Sequence, residues 1–235
     1  MSAVNRELRV LSRIIKKVRA NNRLDWLSYS AMALSILLIA FGSVGQADKY
    51  KATHTTTKLQ AVIEHPTAKT SEAPVDVYDK SYTVAPDKPR ALIMPSIGVH
   101  GFIQQVGVTA DSAIDAPNNI NLAGWYKNSV KPGEAGLSII DGHVSGKYQP
   151  AIFKNLQNLK TNDIFTIEFG DGRRKEFKVA SIGNFTLNDA NQELFKQNPK
   201  ITNQLNLITC SGKFNKSSQS FEKRLIVVSR LVSYP

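Results

Sequence analysis

The chain has 235 residues, of which 42% are hydrophobic, and carries a formal charge of +11. That length and apolar content suffice for a full hydrophobic core, and a single cysteine excludes an internal disulfide. The basic excess is not accompanied by aromatic-interleaved basic motifs, a zinc pattern or a recognition helix, which argues against nucleic acid and for an anionic membrane or cell-wall surface.

Residues 1–25 read as a basic cytoplasmic arm. Leu8, Leu11, Ile14, Ile15 and Val18 recur at helical spacing among seven basic residues, and residues 1–47 hold a net +5. No charge interrupts Trp26–Ala47, a run long enough to cross a bilayer, with Trp26 and Tyr29 placed for one interface. The positive flank puts the N-terminus in the cytoplasm and the remainder outside. A cleavable signal peptide, with Gly45 and Ala47 before a cut, is the alternative, and it exports the same residues. Residues 48–88 are rich in Thr, Lys and Pro without a sustained period and read as an extracellular linker. His54 and His65 within it lack the spacing of a metal site, so no metal or cofactor is called for.

The folded part is expected over residues 89–235. Short β-forming runs occur at Ala91–Pro95, Gly101–Val106, Leu137–Ile140, Ile164–Phe169, Glu176–Ile182, Leu205–Thr209 and Leu225–Leu231. Gly170-Asp171-Gly172 marks a hairpin between two of them. Short helices are predicted near Ala151–Leu159 and Asp189–Lys196, and His100 is read as a turn residue. Many short strands and little helix define an all-β dominated class, a barrel or a sandwich.

The chemistry is concentrated late in the chain. The strand Leu205–Thr209 is expected to end on Cys210, a polar loop Ser211–Ser220 to follow, and Arg224 to open the next strand. His143 closes another apolar run, Ser138–Asp141. A thiol near neutral pH is mostly protonated and needs a base in order to attack a carbonyl; histidine takes that proton and returns one to a leaving amine. An arginine stabilises the oxyanion that forms. Cys210, His143 and Arg224 supply these functions, although each alone is equally at home as an ordinary buried or turn residue. Asp141 is read as a solvated turn carboxylate rather than a group that orients His143.

These residues resemble the sortase family. Leu207-Ile208-Thr209-Cys210 is similar to its Thr-X-Thr-Cys signature with Leu207 in the first position, Gly142-His143 to its Gly-His segment, and Arg224 before Leu225–Val228 to its strand-opening arginine. Ala123-Gly124-Trp125-Tyr126, Lys131-Pro132-Gly133-Glu134 and Ile152–Leu156 are similar to class F members in particular. The resemblance implies an eight-stranded β-barrel with short helices behind one N-terminal transmembrane helix. It also implies a cysteine transpeptidase of the bacterial cell membrane, with the catalytic domain outside. Such an enzyme cuts surface proteins at an LPXTG-like (Leu-Pro-X-Thr-Gly) sorting signal, forms a thioacyl-enzyme and passes the acyl group to an amine of cell-wall precursor or pilin. Cys210 would be the nucleophile, His143 the general acid/base, Arg224 the stabilising cation and Thr209 a substrate-binding residue. The alternative is a membrane-tethered barrel that binds such peptides without turning them over. A papain-like arrangement fits less well, because His143 precedes Cys210.

Overall fold

The computed structural model describes residues 70–110 and 112–233. The basic arm, the expected transmembrane segment at 26–47, His54 and His65 lie outside the described residues. Among the described residues no helix is long and apolar enough to cross a membrane.

Eight strands close into a barrel: β1 (Pro89–Met94), β2 (Val99–Val106), β3 (Ala123–Tyr126), β4 (Gly136–Gly142), β5 (Ile164–Phe169), β6 (Arg174–Thr186), β7 (Asn203–Asn215) and β8 (Ser220–Ser233). Their order around the barrel is β1-β2-β3-β4-β7-β8-β6-β5. The β2–β3 and β4–β7 pairs are parallel and the others antiparallel. Closure leaves neither edge unpaired, which is how a sheet of this size avoids exposing a row of backbone donors and acceptors. The interior is filled by Leu92, Ile103, Trp125, Ile140, Phe165, Phe177, Leu207 and Val227 among others.

Alternation along each strand explains the filling. Leu205 and Leu207 point inward, while Asn206, Ile208 and Cys210 face the other side, as a period of two requires. That outer face is not solvated. The helix α1 (Leu187–Leu194) lays Ala190 and Leu194 over Ile139, Ile208 and Ile226. Asn206 is tied to the helix end, donating from Nδ2 to the Leu194 carbonyl at 2.8 Å. Residues 204–210 of β7 are therefore buried on both faces.

The hairpin at 170–172 is present. Gly172 N–H donates to the Phe169 carbonyl at 2.9 Å and Gly172 adopts φ +83°, the left-handed position that a glycine takes without steric cost.

Several elements differ from the sequence reading. The helix expected at Ala151–Leu159 reduces to one 3-10 turn, Leu156–Asn158. Its later donors turn back three residues instead of four, Lys154 to Ala151, Leu156 to Phe153, Asn158 to Asn155 and Leu159 to Leu156, so no α-helical ladder forms. The helix expected at Asp189 begins at Leu187, because Thr186 caps it and accepts from Asp189 N–H at 3.3 Å. Strand β7 does not stop at Cys210; it runs on to Asn215, interrupted by a bulge between Ser211 and Phe214. The polar residues beyond Cys210 form one arm of a hairpin that is exposed for much of its length, which is why they read as loop. His100 is a strand residue in β2, set edge-on to Tyr78 at 5.4 Å.

The described part of the segment read as linker lies against the barrel. Ser71 bridges to Asn119, and the Ala73 carbonyl accepts from Asn119 and Asn121 side chains at 3.0 Å. Tyr82 stacks on Phe102 with centroids 4.2 Å apart and donates its hydroxyl to the Ile103 carbonyl at 2.7 Å.

Candidate active site

Strand register assembles the site. Cys210 on β7 is directly opposite Arg224 on β8. On the other side of β7, the parallel pairing with β4 runs in step to Asp141 opposite Ile208. His143 follows one residue past the end of β4, and Cys210 lies two residues on from Ile208 along β7. The step between is held by Thr209, whose Oγ1 donates to the Gly142 carbonyl at 2.7 Å. Cys210 and Arg224, 14 residues apart in sequence, thus stand opposite each other on β7 and β8, with His143, 67 residues before the cysteine, just beyond the end of the adjoining strand β4.

All three are buried, at 2%, 4% and 1% relative exposure. Burial at these positions sets their protonation. Desolvation pushes the Cys210 thiol above its ordinary value, the Arg224 guanidinium draws it down, and Asp141 pushes it up. Desolvation holds the His143 imidazole below its ordinary value, opposed by the hydrogen bond to Pro117. Arg224 is likewise lowered by burial and raised by the thiol opposite. The resting pair is a neutral thiol and a neutral imidazole beside a buried cation.

Each side chain is fixed by backbone. His143 Nε2 lies 3.2 Å from the Pro117 carbonyl, so Nε2 carries the proton there and Nδ1 is the basic nitrogen. Arg224 donates from one terminal nitrogen to the carbonyls of Phe221 and Lys223 at 3.2 and 3.0 Å. Beside the thiol is a cavity of about 200 Å³ lined by Val144, Ser145, Phe153, Lys154, Gln157, Thr209, Cys210, Ser211, Gly212, Phe221 and Leu225. Lys154 is the sole charged residue in that lining. It also borders a larger groove of about 580 Å³ on the far side of the 150–155 segment.

Asp141 is not the solvated turn carboxylate read from the sequence. It lies within β4, fully buried, and neither carboxyl oxygen has a hydrogen-bond partner. Its carboxyl occupies the space over Gly124 on β3, and the Pro117 ring packs against the same glycine. Pro117, which holds His143 by its carbonyl, and the lining residues Val144, Phe153 and Gln157 were not legible in the sequence. The signal for Asp141 was its position inside an apolar run, flanked by Ile140 and the glycine before His143. Among the described residues no group of three His, Cys, Asp or Glu side chains converges as metal ligands.

Comparison with known proteins identifies the family of the domain that holds these residues. The sortase domain family model matches residues 92–232, more than half of the chain and nearly all of the barrel. This chain belongs to the sortase family, whose members are cysteine transpeptidases. Solved structures similar to it include a sortase D5 transpeptidase of Clostridium perfringens, 24% identical over 63% of this chain and 80% of that one, with a TM-score of 0.47. Sortase C1 of Streptococcus agalactiae, in complex with MTSET, is 18% identical over 82% and 88% of the two chains, with a TM-score of 0.49. Sortase A of Corynebacterium diphtheriae is 20% identical over 80% and 83%, with a TM-score of 0.48. No curated protein matches the chain by sequence.

Proposed function

We propose that this chain is a membrane-anchored cysteine transpeptidase that joins surface proteins bearing an LPXTG-like signal to an amine of cell-wall precursor or pilin. The observation that carries the reading is the register that sets buried Cys210 opposite buried Arg224 beside a cavity, with buried His143 just past the end of the adjoining strand. Membership of the sortase family supports it.

In the first half-reaction the Cys210 thiol gives its proton to His143 as sulfur attacks the scissile carbonyl. A C–S bond forms, and the tetrahedral oxyanion is stabilised by Arg224. The C–N bond breaks and the proton on His143 goes to the departing amine, leaving a thioacyl-enzyme. In the second half the acceptor amine loses a proton to His143 and forms the new amide. The C–S bond breaks and Cys210 regains its proton. Thr209 lines the cavity at the sulfur and contributes to peptide binding there, while its hydroxyl is engaged by Gly142. Residues 26–47 hold the enzyme in the bacterial membrane as a single pass, with the N-terminus cytoplasmic and the barrel outside.

Full-length protein in detergent micelles, incubated with a pool of Leu-Pro-X-Thr-Gly-like peptides, tests this by intact mass. An acyl adduct in wild type, absent in Cys210→Ala and cleared by an added amine, is the expected result. Peptide binding without any adduct would identify a binding module instead.

A further inference from the structure

A buried polar group without a partner is uncommon in a native fold, and Asp141 has two such atoms. The site has no need of a carboxylate for the chemistry above, and Asp141 makes no hydrogen bond to His143. Its placement is nevertheless specific. Ile139 belongs to the cluster on the outer face of the barrel and Ile140 to the interior, so Asp141 returns to the outer face with Ile139. Ile208, its register partner, and Cys210, two residues on, belong to that same outer cluster. Asp141 is thus the diagonal neighbour of the nucleophile on one buried face, with one strand spacing between them.

The groups that face this carboxyl are few. Cys210 approaches from β7, with Arg224 beyond it on β8. His143 follows just past the end of its own strand. Asp115 reaches it from the preceding loop, and its charge disfavours a second negative charge on Asp141. Strand β3 presents Gly124 and the phenol of Tyr126, neither of which is charged. One cation, Arg224, stands on this face, on the far side of the thiol. Arg224 draws the thiol down and Asp141 pushes it up, so two opposed charges act on sulfur in a medium that tolerates little charge.

We propose that Asp141 is a positioning residue that acts as a brake on Cys210: its carboxyl competes with the thiol for the single negative charge that this buried face accommodates. When Asp141 is ionised, formation of the thiolate is opposed; when it is protonated or replaced by a neutral isostere, the Arg224 field acts on sulfur alone. Burial delays ionisation of Asp141 to well above the ordinary carboxylate range, which brings its titration toward that of the thiol. The inference rests on the reading of Cys210 as the reactive group, but not on any peptide being a substrate.

The test is therefore peptide-independent. The chain has one cysteine, so alkylation by iodoacetamide reports Cys210 alone. Rates are measured against pH for full-length wild type and Asp141→Asn in detergent micelles. The expected result is a profile displaced to lower pH in the variant by roughly one unit, hence roughly tenfold faster alkylation below the midpoint. Superimposable profiles from two folded proteins would overturn the proposal, whether or not either protein transfers peptides. Should Asp141→Asn not fold, infrared spectra of the wild type carry the question. A carbonyl band of a protonated carboxyl persisting well above the ordinary carboxylate range is expected. Loss of every such band within the ordinary range of about 3.5–4.5 would overturn it.

Discussion

Adding one methyl group at Gly124 probes the packing that holds the site in line. A Cβ at this position would stand 2.2 Å from Asp141 Oδ1 and 3.0–3.1 Å from the Pro117 ring. The first contact is impossible and the second is tight, and both neighbours are confined: Asp141 is fully buried and Pro117 carries the carbonyl bound to His143. Overpacking of this kind costs about 1–3 kcal/mol. In a protein of this size that lowers Tm by about 2–12 °C. A displaced Pro117 also releases the imidazole, and misplacement of a reacting group by about 1 Å costs up to about 100-fold in rate. Gly124→Ala is therefore expected to melt early and to acylate about 10- to 100-fold more slowly, measured by calorimetry and by intact mass. The double variant Gly124→Ala/Asp141→Ala removes the severe contact and should recover most of the lost Tm. Refutation would come from a Gly124→Ala protein that melts within about 1 °C of wild type and acylates normally, or from a double variant no better than the single one.

Arg224→Lys keeps the charge but loses the planar guanidinium that reaches the Phe221 and Lys223 carbonyls. A drop in thioacylation of about 100- to 1,000-fold is expected by single-turnover mass spectrometry, with less than tenfold loss counting against the assigned role. Thr209→Val removes the tie to Gly142 and is expected to cost about 1 kcal/mol in urea unfolding, with activity reduced in proportion to the loosened β4–β7 register. His143 makes stability depend on pH. Its folded-state value is depressed, so its contribution is complete above about 6.5 and is lost as pH falls from there through the folded value. In His143→Gln the difference in unfolding free energy between pH 8 and pH 5 should shrink; an unchanged difference would remove His143 as the cause. Lys154→Glu reverses the sole charge lining the Cys210 cavity. It is expected to change the ranking of peptides with acidic and basic flanks while leaving iodoacetamide alkylation within about twofold of wild type.

What the sequence by itself determined is local. Runs such as Ile164–Phe169 and Leu225–Leu231 are β-forming wherever they sit, and Gly170-Asp171-Gly172 turns the chain through a left-handed glycine. The residue types Cys210, His143 and Arg224, in their order and motif setting, were enough to name a chemistry and a family. Ala123–Tyr126 was quoted as a motif without being seen as a strand, because four residues buried throughout show no alternation. Tertiary structure decided the remainder, since these features depend on partners far away in sequence. Asn206, Ile208 and Cys210 are buried because a second apolar cluster, to which α1 contributes, covers the outer face of β7, and no periodicity within β7 records that cover. Residues 151–159 have helical composition, but Ile120 and His143 anchor the start of the segment and its later donors turn back three residues instead of four, so it makes tight turns instead of coiling. Asp141 has the polarity of a turn residue and the position of a core residue. Only the closing of β3, β4, β7 and the Pro117 loop around it decides that its carboxyl meets Gly124 and shares a face with the thiol, where burial makes its proton matter.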